Sequence, residues 1–284
     1  MNFHKIDFRL LALLCFLLLL VQCKKYTEPD YNQRSSYFKN VTTGYTSDSL
    51  LTCVTYNIQL GFMANQDPWD INQTGADMAQ IKRLADILRS TNADIIALQE
   101  VPRNRYNAVV KGFVETLAAE LGMNYAFGAH GYNGPYGENP TQGEWGNAIL
   151  TKFEIEAINN HQVEYRSVWE RRSLIDATLL VNTSSSVHAI SLHHLPSLEG
   201  IPNTAAYVNT LQGGVLLMGD YNYLGEIVEF TNLGLSDVDS TYFFHGVDRI
   251  FIDKNALQVL EVNQVVDTQF VSDHWANYTR LRFK

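Results

Sequence analysis

A small set of polar residues stands out because each closes a run of apolar ones. Asn57 ends Leu51-Thr52-Cys53-Val54-Thr55-Tyr56, Glu100 ends the run from Ala93, and His193 and His194 end the run from Val187. Asp220 and Asn222 follow Val215-Leu216-Leu217-Met218-Gly219. Asp248 sits in Gly246-Val247-Asp248-Arg249-Ile250-Phe251, and Ser272-Asp273-His274-Trp275 precedes the last apolar stretch. These residue types suit the hydrolysis of a phosphate ester. Such a substrate is anionic and repels nucleophiles. The chemistry therefore calls for a cation on the phosphoryl oxygens, hydrogen-bond donors around them and a group that orients or deprotonates water. Glu100 and Asp273 offer the hard oxygens that Mg²⁺ takes. Asn57, Asn222, His194 and Arg172 offer donors, and Asp220 and the combination of Asp248 with His274 offer general-base chemistry.

Taken singly, each element has a plain explanation. Gly219-Asp220-Tyr221-Asn222 has turn composition, Ser272-Asp273-His274 reads as a cap, Gln99-Glu100 as a solvated strand end and Arg171-Arg172 as a solvated pair. What they can do together depends on the elements that carry them. Strand patterns cover 51–58, 93–100, 146–152, 172–181, 187–194, 214–219, 247–252 and 275–283. Ile81, Leu84, Ala85 and Leu88 recur at helical spacing. Val110, Phe113, Val114, Leu117, Ala118 and Leu121 mark an amphipathic helix that stops before Gly122. A Gly-, Asn- and Pro-rich loop is expected over 128–143 and a short helix over 203–211. The second half holds too many strands for a simple alternating parallel fold, so an α+β architecture with a sheet-on-sheet core flanked by helices is expected. Strand ends in mixed folds share a rim, which gives the polar set a common cleft. Spacing i and i+2 on an extended segment places the Asp220 carboxylate beside the Asn222 amide.

The chain has 284 residues, 46% hydrophobic and 18% charged, which excludes intrinsic disorder, collagen-like repeats and a coiled coil. Lys plus Arg is 21 against Asp plus Glu 30, a net charge of -9. A broad basic surface for phosphate neutralisation is therefore excluded, while a bound cation still lets an acidic chain act on nucleic acid. Three cysteines, Cys15, Cys23 and Cys53, are too few for a disulfide framework. The apolar run Leu10 to Val21 is too short to span a bilayer but suits an export signal. Leu20-Val21-Gln22-Cys23 resembles the lipobox of a bacterial lipoprotein precursor, with Gln22 where a smaller residue is usual. The expected organisation is a signal peptide over 1–22, a flexible tether over 23–49 and a catalytic domain over 50–284. Cys23 would carry lipid and anchor an exported protein outside the cytoplasm, and Cys53 would pack as a small core residue.

The joint order of the polar elements resembles the endonuclease/exonuclease/phosphatase superfamily, which contains DNase I, abasic-site endonucleases, neutral sphingomyelinases and inositol polyphosphate 5-phosphatases. The resemblance rests on Thr55-Tyr56-Asn57-Ile58, Leu98-Gln99-Glu100-Val101, Gly146-Asn147-Ala148-Ile149-Leu150, Arg172, His194-Leu195-Pro196-Ser197, Gly219-Asp220-Tyr221-Asn222, Asp248-Arg249-Ile250 and Ser272-Asp273-His274. It implies a DNase I-like four-layer α/β/β/α sandwich and a phosphoesterase site that uses Mg²⁺, with Mn²⁺ as a substitute. By this resemblance Glu100 is the principal metal ligand with Asn57 and Asp273 nearby. Asp220 orients or deprotonates water, Asn222 holds the phosphate, and Arg172 and Asn147 bind it. His274, oriented by Asp248, is catalytic, and His194 faces the phosphate. His193 fits the longer spacing of DNase-like members, although His194 is favoured. The connection from Ser197 to Gly214 is shorter than in many relatives.

The expected substrate is a phosphate ester, nucleic acid first, hydrolysed by a monomer. A sphingomyelinase-like phospholipid phosphodiesterase is the alternative, with Tyr242-Phe243-Phe244 as the aromatic patch that would reach a bilayer. A surface binding lipoprotein that keeps the fold without catalysis is the reading from another class. It gives no reason for Glu100, Asp220, Asp248 and His274 together.

Overall fold

The computed structural model describes residues 35–47, 49–132, 143–167, 170–183, 185–239, 246–265 and 270–284. The expected signal peptide, Cys23 and Tyr242-Phe243-Phe244 lie outside the described residues. In chain order the elements are β1 (Ser36–Lys39), β2 (Leu50–Asn57), α1 (Met78–Ser90), β3 (Ile95–Arg103), α2 (Phe113–Leu121), β4 (Asn124–Tyr132) and β5 (Glu144–Thr151). Then come β6 (Glu154–Ser167), β7 (Glu170–Asn182), β8 (Ser185–His193), α3 (Ile201–Val208), β9 (Gly214–Asp220) and α4 (Val228–Asn232). The last are β10 (Leu235–Asp237), β11 (Asp248–Asp253), β12 (Leu257–Val265) and β13 (Ala276–Phe283).

The strands form a seven-stranded sheet in the order β1-β4-β5-β3-β2-β13-β12 and a six-stranded sheet in the order β10-β11-β9-β8-β7-β6. Pairing is mixed: β2 with β3 and β8 with β9 are parallel, and the remaining neighbours antiparallel. Central strands are buried on both faces, which is why they read as unbroken apolar runs. Alternate residues divide between two cores. Leu51, Cys53, Ile95, Ala97, Val187, Ala189, Leu216, Met218 and Ile250 fill the space between the sheets. Val54, Tyr56, Ile96 and Leu98 face outward and meet Ile81, Leu84 and Leu88 of α1 and Phe113 and Leu117 of α2. On the other side Ile190, Leu192, Leu217 and Phe251 meet Ile201 and Val208 of α3 and Phe230 of α4. The expected two-sheet sandwich with helices outside is thus what the chain forms. Cys53 is fully buried between the sheets, and burial pushes its thiol well above the ordinary range.

Helix α1 starts where Asp77 caps it, its carboxylate accepting from the Gln80 N–H at 2.7 Å. Helix α2 ends where Gly122 adopts a left-handed φ of 66°. It begins at Phe113 rather than Val110, because the Val109 and Val110 N–H groups donate to the Gly75 and Ala76 carbonyls. Three further differences have local causes. Residues 36–39, assigned to the tether, pair with β4 as an edge strand. The glycine-rich segment is strand up to Tyr132, with Gly128 packed so closely that a Cβ would lie 2.7 Å from Asn160 Oδ1. Strands β6 and β12 have no clean alternation in the sequence, because bulges interrupt β6 at three places and β12 at Val259/Glu261.

Candidate functional site

The rim is where the inward rows of the strands change character. In β2 the row runs Leu51, Cys53, Thr55, Asn57; in β3, Ile95, Ala97, Gln99; in β8, Val187, Ala189, Ser191, His193; in β9, Leu216, Met218, Asp220. Strand β11 runs the other way, from Asp248 to Ile250 and Ile252, because it is antiparallel to β9. Register fixes the juxtaposition: Asp220 lies opposite His193 on one side and Asp248 on the other. Strand β13 is antiparallel to β2, so Ser272-Asp273-His274 just before it returns to the same end. Polar groups also tie the sheets together there. Gln99 Nε2 donates to Ser191 Oγ at 3.0 Å, Ser191 Oγ donates to the Leu98 carbonyl at 2.9 Å and Asn277 Nδ2 donates to the Asp248 carbonyl at 3.2 Å.

Asp220, 1% exposed, is the hub. Its Oδ1 accepts from the Asn222 N–H at 2.8 Å, and its Oδ2 accepts from Asn57 Nδ2 at 3.1 Å. The same Oδ2 lies 3.6 Å from His193 Nε2 and 3.8 Å from His274 Nε2. Across the cluster, His274 Nδ1 is 2.7 Å from Asp248 Oδ2. Burial alone would depress the His274 imidazole. The charge and hydrogen bond of Asp248, with Asp220 and Asp273 beyond, overcome it and raise the pKa. An imidazolium therefore bridges two buried carboxylates. Ligand atoms of Asp220, Asp248 and His274 lie within 4.8 Å of one another.

Glu100 reaches the rim through a backbone device. A bulge between Leu98 and Val101 interrupts the pairing of β3 with β5, and Glu100 adopts a left-handed φ of 54°. Bulges re-aim side chains next to active sites, and this one turns the residue after the inward Gln99 toward the cleft. Burial pushes the Glu100 carboxyl up to about 7, against the pull of Arg172 and with a further push from Asp220 and Asp273. A set of hard oxygens raising one another is what a divalent cation would relieve, so the residues present fit one.

Asn57, Glu100, Asp220, Asp248 and His274 thus come together as expected. Asp273 is exposed beside them, its N–H donating to Gln59 Oε1 at 3.2 Å. Arg172 stacks over the Trp145 ring at 4.8 Å, and its charge is felt at Glu100 and His193. Asn222 is turned to a different task than expected: its amide donates to His193 Nε2 at 3.1 Å and to the His194 carbonyl at 2.8 Å, orienting the histidine.

Two placements correct the sequence reading. His194 is not in the cluster. One residue beyond His193 it has the opposite parity, so its ring turns to the α3 side, with Nε2 3.2 Å from Thr204 Oγ1 and Nδ1 3.5 Å from Glu164 Oε2. His193 takes the place at the rim, with Nδ1 3.9 Å from Glu100 Oε1. Burial, and then the charge of Arg172, push its pKa well below the ordinary value, so it is a neutral donor there. Asn147 is not at the surface of the cleft either. It is fully buried, and its amide donates to the Ser173 carbonyl at 2.7 Å and the Ser191 carbonyl at 3.3 Å.

Residues 128–143 read as loop, which hid a further wall of the cleft. His130 Nδ1 accepts from the Ser173 N–H at 2.9 Å, so the ring proton sits on Nε2, a buried atom without a partner. Trp145 stands edge-on to His130 at 4.8 Å and to His193 at 6.2 Å. Parity along β8 would have selected His193; no comparable signal marks His130.

The sequence profile of the Endonuclease/Exonuclease/phosphatase family matches residues 54–274. No curated protein sequence matches the chain. Among solved structures, an endonuclease/exonuclease/phosphatase from Beutenbergia cavernae DSM 12333 is similar with a TM-score of 0.67 at 17% identity, over 83% of this chain and 72% of that one. The human Nocturnin catalytic domain with bound sulfate gives 0.60 at 17% identity, over 83% and 95%. D. rerio TDP2 in complex with a single-strand DNA product gives 0.58 at 14% identity, over 82% and 99%. At these identities the structures share the fold.

Proposed function

The chain belongs to the endonuclease/exonuclease/phosphatase family, and from that premise we propose that it is a divalent-metal-dependent phosphodiesterase, with nucleic acid as the leading substrate. The observation that carries this reading is the convergence of Glu100, His193, Asp220 and the Asp248–His274 pair on one rim. Glu100 would hold Mg²⁺, with Asn57 and Asp273 as neighbouring oxygen donors, and Mn²⁺ would substitute. When bound, such a cation neutralises charge on the phosphoryl oxygens. Asp220, held by Asn57 and the Asn222 N–H, orients the attacking water and accepts its proton. His274, kept as an imidazolium by Asp248, and neutral His193, aimed by Asn222, donate to phosphoryl oxygens in the transition state. Asp248 is a positioning residue: it fixes the ring that touches substrate. The Arg172–Trp145 stack offers a face for a base, and a relative of this fold, TDP2, is described with a DNA product.

The test is hydrolysis of an aryl phosphodiester by the purified domain with Mg²⁺ or Mn²⁺, and its loss in EDTA. Glu100→Gln should raise the metal concentration for half-activity at least tenfold, with activity partly recovered at high metal. An unchanged metal response would make Glu100 a solvated strand end.

One observation favours phospholipid as a second reading. Phe270, 67% exposed, and Trp275, 45% exposed, flank Ser272-Asp273-His274 and could seat the cleft on a bilayer. Faster release of choline phosphate from sphingomyelin vesicles than of nucleotides from single-stranded DNA would select it. The export signal ending at Cys23 supports a lipid-anchored protein outside the cytoplasm, and Cys23→Ala should then release it from membranes.

A further inference from the structure

Arg105 has no place in the chemistry above, yet it is fully buried and none of its three guanidinium nitrogens has a hydrogen-bond partner. Glu100 and Asp67 act on it only through space, and a buried charge with no hydrogen-bonded partner destabilises a fold. The guanidinium lies over the rings of Trp69 at 4.7 Å, Tyr106 at 5.3 Å and Phe62 at 6.0 Å, and such contacts recover only part of the lost hydration. Its backbone, by contrast, is firmly held. The Arg105 carbonyl accepts from Lys111 Nζ at 2.8 Å and the Ala108 N–H at 3.1 Å, and Gly143 packs so closely that a Cβ would lie 2.5 Å from Arg105 Cα. The side chain is thus presented by a fixed loop with all its donors free.

A path of ring contacts connects it to the rim. Trp69 stands edge-on to Trp145 at 6.1 Å, Trp145 stands edge-on to His193 at 6.2 Å, and His193 lies 3.6 Å from Asp220. Arg172 caps the middle of this path on Trp145. The His274 imidazolium stands at the hub, 3.8 Å from Asp220, and the Arg105 guanidinium at the far end, with Trp145 and Trp69 between them, an order that suits a substrate carrying two phosphates.

We infer that Arg105 receives a second phosphate of the substrate, one nucleotide away from the phosphate that is cleaved. The inference rests on the phosphodiesterase reading and adds the substrate feature that the site selects. Trp69 lies across the guanidinium and is 43% exposed, on a segment of turns in which its own N–H donates to Asp67 Oδ1 at 2.9 Å. Its ring must move aside when the anion enters. The charge of Arg105 also acts on Glu100, so an anion here is felt at the rim.

Three measurements on the full chain test this. In EDTA, inorganic phosphate should change tryptophan fluorescence saturably in the wild type and not in Arg105→Met or Trp69→Phe. Arg105→Met should melt at the wild-type temperature or above in phosphate-free buffer, since it removes an unpaired buried charge; a lower midpoint, or failure to fold, would make Arg105 a structural stack and overturn the inference. With metal, thymidine dinucleotides TpT, pTpT and TpTp separate the arms. The wild type should show a KM about tenfold lower for one of the terminally phosphorylated substrates, and Arg105→Met should equalise all three while leaving TpT unchanged. Equal KM values in the wild type, or an equal loss on all three in the variant, would overturn the inference and leave the phosphodiesterase reading standing. No hydrolysis of these or of an aryl phosphodiester would overturn both.

Discussion

The space between the two sheets has two ends with opposite chemistry, built by the same strands. At one end Leu51, Cys53, Ile95, Leu216, Ile250 and Leu281 pack without a polar partner. At the other, the same inward rows deliver Asn57, Gln99, His193, Asp220 and Asp248. Two to four residues along a strand separate a side chain that holds the sheets together from one that stands in the polar cluster at the rim. Apolar packing at one end is what lets buried charges be kept at the other, because a buried carboxylate is tolerated only in a frame that does not give way.

Asp220→Asn should have the largest effect and break the comparison at its hub. Activity should fall about a thousandfold or more, as expected for loss of a general base, while the thermal midpoint stays or rises because a buried charge is gone. A variant that instead unfolds would show that the rim, too, is structural. Next come Asp248→Asn and His274→Ala, each lowering kcat about a hundredfold with little change in KM, a loss confined to the transition state. The double variant should be scarcely worse than His274→Ala alone, and strict additivity would separate the pair. Asp248→Asn should also move the alkaline limb of the rate profile to lower pH, since Asp248 is a cause of the raised His274 pKa.

Legibility followed the same division. Strands β2, β3, β9 and β11 were plain because burial on both faces makes unbroken apolar runs. Strands β6 and β12 were not, because bulges and exposed edges erase the period that marks a strand. The short edge strand β1 carries no pattern of its own, only a partner distant in sequence. At the site, residue type and order pointed to Asn57, Glu100, Asp220, Asp248 and His274, yet type alone could not separate His193 from His194. Only the face each presents does that, and the row Val187, Ala189, Ser191 carries the information. Asn147 was misplaced for a related reason: its motif places it in the inward row with Ile149, where an amide can serve the backbone as well as a ligand.

At the apolar end, Leu216→Ala should cost about 3 kcal/mol of stability by leaving a cavity, with kcat unchanged wherever the protein is folded. Chemical denaturation beside a rate assay reads both, and a parallel loss of kcat would mean that the two ends are mechanically coupled. The smallest effect concerns a second Asp–His pair, away from the rim. His188 Nδ1 lies 3.0 Å from Asp176 Oδ2, which also accepts from the Tyr207 hydroxyl at 2.8 Å. The hydrogen bond to Asp176 raises the His188 pKa above 6.5 in spite of its burial. Its stabilisation is therefore fully present below pH 6.5 and is lost as pH rises through the folded value. His188→Asn should lower stability by about 1 kcal/mol or less at pH 6 and by still less at pH 9, without touching the rate. The same pair of residue types is thus a brace on one face and part of the proposed reaction centre on another.

Cys53 turns the apolar end into a clock. It is the single sulfhydryl between Ser35 and Lys284, and burial keeps it a thiol rather than a thiolate. No reagent reaches it while the sheets are closed. The rate at which a disulfide reagent labels it therefore counts the openings of the sandwich, in the way that amide exchange counts them for backbone hydrogens. One residue, already in place, reports how often the frame that supports the rim lets go.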